Sequence, residues 1–205
     1  MNLNELGLKH STDKASHGHN YLDLYEELLA PFRDRGNLRI IEIGVHEGAS
    51  LRVWKDFFPD AQIVGVDIKE ACRAHADTSI QIEIGDQGDE TFLQSLITKH
   101  PADIIVDDGS HFWSHQIDTF RLLFPQMRSG GLFVCEDLLT SRSKWVAAYG
   151  RPYTIPAATY FGRLAAQFAA EGFVYGEASD TEMRDLQQQI AWMRFGPGFV
   201  AIRKV

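Results

Sequence analysis

The chain has 205 residues, of which 44% are hydrophobic and 23% charged, with a formal net charge of −8 and two cysteines. This length and apolar content are typical of an ordinary globular protein, so we predict a single domain over residues 1–205. The acidic balance argues against a nucleic-acid partner, because binding to phosphates needs clustered positive charge. Cys72 and Cys135 are too few and too far apart for a disulfide framework, which indicates a reducing compartment.

The start of the chain carries no apolar run of the signal-peptide type. No stretch of the sequence approaches the roughly 18 apolar residues that are needed to cross a bilayer. We therefore expect a cytoplasmic protein that has no membrane partner.

Short apolar runs alternate with amphipathic stretches along most of the chain. The runs at residues 39–44 and 62–67 flank an amphipathic stretch at residues 50–58, which is the pattern of a parallel strand, helix, strand unit. The other predicted strands of this kind cover residues 79–84, 103–106 and 132–136, and the other predicted helices cover residues 89–100, 112–127 and 157–170. Because these strands are apolar throughout, they suit a parallel sheet that is covered on both faces.

The last two predicted strands cover residues 190–195 and 199–204. Gly196, Pro197 and Gly198 separate them, which is a hairpin signal. We therefore predict an α/β fold with a Rossmann-like doubly wound sheet, mostly parallel and finished by a C-terminal antiparallel hairpin. In such sheets, ligands bind outside the carboxyl ends of the strands.

The first two strands end in residues suited to a nucleoside. Gly44 and Gly48 permit a tight turn and either close packing or the close approach of a ligand. Asp67 follows Gly44 by 23 residues, where a carboxylate can accept hydrogen bonds from ribose hydroxyls, although it could instead cap a helix. His46 stands where a dinucleotide fingerprint has its second glycine, which disfavours NAD and favours S-adenosylmethionine, a cofactor without a pyrophosphate.

A family resemblance supports this cofactor. The run IIEIGVHEGAS followed by VGVDI resembles motif I and the acidic second strand end of class I S-adenosylmethionine-dependent methyltransferases. The ordered set of STDK, HNYLDLY, IIEIGVHEGAS, VDDGSH and CEDL is similar to the metal-dependent sugar O-methyltransferases of natural-product biosynthesis, over roughly residues 5–140 and the last strand. The resemblance implies that Asp108, Glu136 and Asp137 hold a divalent cation, commonly Mg²⁺, and that His111 is the catalytic base.

The chemistry of these residues agrees with that implication. Three carboxylates at neighbouring strand ends repel one another unless a cation or protons compensate them, and a hard cation prefers oxygen ligands. The alternative is a solvated rim in which Asp108 caps a helix. Asp107 is expected to point towards the cofactor or the fold, because consecutive strand residues face opposite sides.

Residues 1–35 are predicted to form a helical segment that covers the cofactor. Lys14 is expected to reach the cofactor, or else to pair with Asp13 or Glu26, and a histidine metal site at His17 and His19 is a further alternative. The complete set of residues predicted to contact the cofactor is Thr12, Lys14, His19, Tyr21, Glu42, Gly44, Gly48, Ser50, Asp67, Ile68, Asp86, Gln87 and Asp107.

Residues 138–160 are predicted to form a lid or wall for the acceptor, because they are rich in aromatic side chains that suit sugar rings; a core-packed loop is the alternative. We predict an O-methyltransferase that depends on S-adenosylmethionine and a divalent metal and acts on a hydroxyl of a sugar or glycosylated natural product. The alternatives are methylation of a catechol or other phenol, cofactor binding without transfer, and an NAD dehydrogenase. The family habit implies a homo-oligomer.

Overall fold

The computed structural model of the protein describes residues 1–150, 154–171 and 181–205. These residues fall into two compact units, Met1–Gly85 and Asp86–Val205. None of the helices in these residues has both the length and the apolar character that crossing a membrane requires.

The first unit is a parallel three-stranded arrangement with helices before and between its strands. Its helices are α1 (Leu3–His10), α2 (Leu22–Leu29) and α3 (Ala49–Phe57), and its strands are β1 (Arg39–Ile43), β2 (Gln62–Asp67) and β3 (Ile80–Ile84). Short 3₁₀ helices cover Ala30–Phe32 and Glu70–His75. The strand order is β3-β2-β1, with Ile41 opposite Val64 and Val64 opposite Gln81.

Local sequence explains how this unit begins and packs. Asn2 accepts a hydrogen bond from the Glu5 N–H while the Glu5 side chain bonds the Asn2 N–H, a capping box that starts α1. In β2, a side chain at Gly65 would lie 2.7 Å from Leu51 Cδ1. Glycine at this position therefore allows α3 to pack closely against the strand.

The described residues of the second unit form four strands, of which one, the last along the chain, runs antiparallel to the other three. The strands are β4 (Ile104–Asp107), β5 (Leu132–Cys135), β6 (Ile190–Gly196) and β7 (Phe199–Lys204), and their order is β4-β5-β7-β6. The helices described here are α4 (Glu90–Lys99), α5 (Trp113–Leu123), α6 (Val146–Tyr149), α7 (Ala157–Ala169) and α8 (Thr181–Gln187), with 3₁₀ helices at Phe124–Gln126, Leu138–Ser141 and Ser143–Trp145.

The core of the second unit is aromatic. The Phe120 ring lies 4.9 Å from Phe124, 5.2 Å from Phe133 and 5.4 Å from Phe161, measured between ring centroids. These side chains come from α5, the 3₁₀ helix that follows it, β5 and α7, and all are fully buried. Their contacts fix α5, and with it the loop that enters α5, against the strands.

The predicted fold class is confirmed: parallel strands alternate with helices, and the chain closes in an antiparallel β6-β7 hairpin. Two details differ from the sequence prediction. The helix predicted over residues 112–127 ends at Leu123 and continues as a 3₁₀ turn, because Pro125 cannot donate the backbone hydrogen bond that an α-helix needs there. Helix α8 was not predicted, since it is short and largely polar.

Candidate active site

Three ionisable side chains meet at the carboxyl ends of two strands in the second unit. Asp108 directly follows β4, His111 lies three residues further along the same loop, and Asp137 lies two residues after β5. One potential ligand atom from each side chain lies within 4.8 Å of the others. All three residues are half-buried, so the cluster has access to solvent.

The backbone at this cluster is unusual. His111 has φ 59° and Asp137 has φ 55°, in the left-handed region that side chains other than glycine enter rarely. Each such residue costs about 1–3 kcal/mol and persists only where its surroundings impose it. Histidine and aspartate enter this region more readily than most residues, and Ser11 and His46 also have positive φ angles, so these conformations define the geometry of the cluster without assigning it a function.

Thr140 links the two loops that carry the cluster. Its hydroxyl lies 2.9 Å from the Asp137 carbonyl and 3.4 Å from the His111 carbonyl, and its own carbonyl accepts a bond from the Trp113 indole N–H at 3.0 Å. The hairpin tip also contributes, because the Leu138 N–H donates to the Gly198 carbonyl at 2.7 Å. The relative placement of His111 and Asp137 is therefore set by hydrogen bonds rather than by loose loops.

His111 faces Asp137 within the cluster. Its Nε2 lies 3.5 Å from Asp137 Oδ2, while its buried Nδ1 has no hydrogen-bond partner among the described residues. The Tyr149 ring stands edge-on to the imidazole, with 6.3 Å between centroids. Because Nδ1 is shielded, Nε2 is the ring nitrogen that could exchange a proton with a ligand of the cluster.

Glu136 and Asp107 are buried beside the cluster. Glu136 is 2% exposed and is not a member of the group within 4.8 Å, so its assignment as a metal ligand stays a prediction. Burial raises the pKa of Asp107 to about 7, although hydrogen bonds from the Gly109 N–H and the Gln87 amide act against this rise. The Asp107 Oδ2 atom is buried and has no hydrogen-bond partner among the described residues.

The other strand-end residues predicted in this unit differ in their surroundings. Asp86 is exposed, and its Oδ1 accepts a bond from the Gly88 N–H at 2.7 Å. Gln87 is 6% exposed, and its amide bonds Asp107, Thr119 and Ser110 within the chain. Their assignment to the cofactor remains a prediction.

In the first unit, Asp67 organises the loop after β1. Its Oδ2 accepts bonds from the Val45 and His46 N–H groups at 3.0 and 3.1 Å, and its Oδ1 accepts one from the Lys69 N–H at 2.9 Å. Burial opposes the charge, but these backbone donors outweigh it and lower the pKa of Asp67. The carboxylate is thus ionised at neutral pH.

A buried charge pair joins the segment between α1 and α2 to β1. Lys14 and Glu42 are 1% and 0% exposed, with 3.7 Å between Lys14 Nζ and Glu42 Oε1. The Trp54 indole N–H donates to Glu42 Oε2 at 2.7 Å. Lys14 therefore pairs with Glu42, a partner that was not considered from the sequence.

The remaining predicted cofactor residues of this unit surround the end of β1 to different extents. Gly44 has φ 98° and Gly48 has φ 68°, and a side chain at Gly48 would lie 2.8 Å from the His75 ring. The Ile68 side chain is 64% exposed directly after Asp67, a position where an apolar surface could cover a base. Thr12, Ser50 and Tyr21 are buried, and the His19 ring stacks on Tyr21 with 5.2 Å between centroids.

Several functional contacts were not predicted from the sequence. They are the Lys14–Glu42 pair, the Thr140 link, the contact of Tyr149 with His111, and the hydrogen bonds of Gln87. Apart from the bond between Thr140 and Asp137, each of these contacts joins residues that lie at least 12 positions apart in the sequence. A pattern read along a single chain carries no signal for such pairs.

The donor set fits a hard divalent cation. Two carboxylates and one imidazole offer mostly oxygen, and the half-buried position leaves room for water or an acceptor as further ligands. The grouping of these ligand atoms is by itself sufficient to suit such a cation.

The comparisons with known proteins agree with the fold and with this site. Residues 41–138 match a family model described as a methyltransferase domain. The match runs from β1 to the start of the Leu138–Ser141 turn and includes the motifs that indicated such a domain.

Two curated relatives show which kind of methyltransferase the chain resembles. The chain is 40% identical over 153 residues to an 8-demethyl-8-alpha-L-rhamnosyl tetracenomycin-C 2'-O-methyltransferase of Streptomyces olivaceus, covering 71% of this chain and 39% of that protein. It is 39% identical over 148 residues to the mycinamicin VI 2''-O-methyltransferase of Micromonospora griseorubida, covering 68% of this chain and 36% of that protein. The chain thus spans well under half the length of these curated relatives.

A solved structure extends the likeness over the whole fold. The mycinamycin-pathway methyltransferase MycE, solved in complex with Mg, SAH and mycinamycin VI, superposes with a TM-score of 0.85 at 28% identity. The match covers 100% of this chain and 54% of that one. The resemblance to sugar O-methyltransferases that the motifs indicated is confirmed.

Proposed function

We propose that the protein is an S-adenosylmethionine-dependent, divalent-metal-dependent O-methyltransferase that methylates a hydroxyl of a sugar on a glycosylated natural product. The observation that carries the proposal is the grouping of Asp108, His111 and Asp137 within 4.8 Å, with His111 and Asp137 both held in left-handed conformations. The relatives named above act on glycosylated compounds, which supports a glycoside as the acceptor.

The proposed role of the carboxylates is to hold the cation. Asp108 and Asp137 would bind Mg²⁺, with Glu136 proposed as a third carboxylate in the same region. A bound divalent cation supplies Lewis acidity, which lowers the pKa of a hydroxyl placed beside it. The two loops need no large rearrangement for this role, because Thr140 and the hairpin tip already fix them.

His111 is proposed as the base that takes the hydroxyl proton. Hard cations prefer oxygen ligands, so the imidazole is better suited to proton transfer than to ligation. Nε2 is the ring nitrogen on the side of the cluster, so it is proposed to accept the proton, and the nearby Asp137 carboxylate stabilises the imidazolium that results.

S-adenosylmethionine supplies the electrophilic methyl group when it is bound. In the first unit, the ionised Asp67 is proposed to accept hydrogen bonds from the ribose, and the exposed Ile68 to cover the adenine. Thr12, Lys14, His19 and Tyr21 are proposed to close the pocket from residues 1–35, and Gly44, Gly48 and Ser50 to shape it. Lys14 contributes through its pair with Glu42, which anchors this segment.

The aromatic residues after β5 are proposed as the acceptor wall. Tyr149 contacts both His111 and Phe112, and Trp145 packs edge-on against Tyr149 with 5.8 Å between centroids. Trp145 is 40% exposed and Val146 is 54% exposed, so this surface is open to a ligand. The lid was predicted over residues 138–160, and its residues 151–153, including Tyr153, lie outside the described residues.

The test is methyl transfer from labelled S-adenosylmethionine to a rhamnosylated polyketide and, in parallel, to a catechol. We expect transfer to the rhamnosyl hydroxyl, with loss of transfer in Asp108→Asn. The matched control is Asp60→Asn, which changes an exposed acid far along the sequence from the cluster. Preference for the catechol would replace the glycoside proposal, and binding of the cofactor without transfer to either acceptor would contradict the proposed activity.

A further inference from the structure

Gln87 has a set of contacts that its assignment to the cofactor does not explain. The side chain is buried, and both hydrogens of its amide nitrogen are used inside the chain. Nε2 donates to Asp107 Oδ1 at 2.7 Å and to Thr119 Oγ1 at 3.0 Å. Oε1 accepts a bond from the Ser110 N–H at 2.8 Å. An amide has two donor hydrogens, so no donor remains for a cofactor.

The three partners of Gln87 enclose the segment that carries two members of the cluster. Asp107 is the last residue of β4, Ser110 lies in the following loop, and Thr119 lies in α5. Asp108 is therefore held between two residues that are bonded to the same amide, and His111 directly follows the second of them. The loop itself has no regular structure that could fix it.

A second bond reinforces this arrangement on the far side of the loop. The Ser110 hydroxyl lies 2.8 Å from His115 Nδ1, which ties the loop to the first turn of α5. Ser110 is thus restrained through its backbone by Gln87 and through its side chain by His115. The left-handed backbone of His111 begins one residue after this double restraint.

We propose that Gln87 is a positioning residue for the metal site, which holds the Asp108–His111 loop in its binding geometry by bridging β4, the loop and α5. The proposal rests on the proposed function, since it assigns to Gln87 the support of that same metal site. Groups in the outer shell of a metal site typically change metal affinity about 10–100-fold when they are removed.

The experiment measures Mn²⁺ affinity of the cofactor-free full chain by electron paramagnetic resonance, and SAH affinity by calorimetry. Gln87→Met keeps the length of the side chain and removes all three bonds. We expect the Kd for Mn²⁺ to rise about 10–100-fold, with a smaller change in the Kd for SAH. Gln87→Asn, which is too short to span the three partners, should move the Mn²⁺ affinity in the same direction if the Met variant does not fold.

Gln94→Met is the matched control, because it makes the same change at an exposed glutamine of α4. We expect it to leave Mn²⁺ affinity near that of the wild type. Unchanged Mn²⁺ affinity in the folded Gln87 variants, or an equal loss in Gln94→Met, would overturn the positioning role alone. A wild-type chain that does not bind Mn²⁺ would overturn the proposed metal site and this role with it.

Discussion

His111 and Asp137 show how much of the site depends on single backbone conformations. Both adopt positive φ angles, yet neither is glycine. Asparagine enters this region more readily than most residues, so it is the substitution that changes the side-chain chemistry with the least backbone strain.

His111→Asn should therefore separate the proton-acceptor role from folding. We expect methyl transfer to fall about 10²–10⁴-fold, the usual contribution of a general base. Mn²⁺ affinity should stay close to that of the wild type, because the carboxylates remain. The exposed His17→Asn is the control. If Mn²⁺ affinity falls as strongly as the rate, His111 is a ligand and not the base.

Asp107 should make the stability of the metal-free protein depend on pH. Its pKa is raised from 3.8 to about 7 in the folded state, so between these values the folded protein keeps a proton that the unfolded chain has lost. The free energy of unfolding should then fall as the pH rises through this window, by about 1.4 kcal/mol for each unit of pKa difference. Below the window the contribution is fully present.

Asp107→Asn removes that titration and keeps an oxygen to accept the Gln87 bond. Urea unfolding from pH 4 to pH 8 should therefore show a flatter profile for the variant than for the wild type. Profiles with the same slope in this window would show that Asp107 is ionised in the folded protein.

The segment between α1 and α2 shows an element held by a buried charge pair. The Lys14 side chain lies beside Glu42 of β1, and the Lys14 carbonyl accepts a hydrogen bond from the Tyr21 N–H at 2.8 Å. Losing one partner of a buried pair leaves an uncompensated charge in a medium of low polarity. Such losses are far more costly than the loss of an exposed pair.

Lys14→Met should lower the free energy of unfolding by about 3–5 kcal/mol. Lys55→Met is the matched control, because Lys55 pairs with Asp77 at 2.6 Å but both side chains are more than one-third exposed. We expect that control to cost about 1 kcal/mol or less. Chemical denaturation of the two variants measures the difference, and similar losses would contradict an anchoring role for Lys14.

The sequence predicted the strands well, and with them the location of the acidic residues. Short apolar runs such as β2 and β5 favour buried strands, and in a parallel sheet the residues that follow them share one edge. Asp108, His111 and Asp137 were therefore predictable. The Lys14–Glu42 pair and the Thr140 link were not, because long-range packing decides them.

For the molecule as a whole, part of the net charge of −8 can be assigned to one group of acidic residues. Asp107, Asp108, Glu136 and Asp137 lie at the ends of β4 and β5, where a divalent cation would offset part of their charge. Because a site of this kind loses its ion to a chelator, we expect methyl transfer to stop in EDTA and to return when excess Mg²⁺ is added. Apo protein should also unfold at a lower temperature than protein with Mg²⁺, since the ion binds only the folded state.

The most direct measurement is the anomalous scattering of crystals grown with Mn²⁺ and SAH. We predict a strong peak within bonding distance of carboxylate oxygens of both Asp108 and Asp137, and the same map would reveal whether Glu136 is a ligand. A peak elsewhere, or none at these residues in crystals that hold SAH, would contradict the metal site at the centre of the proposed function.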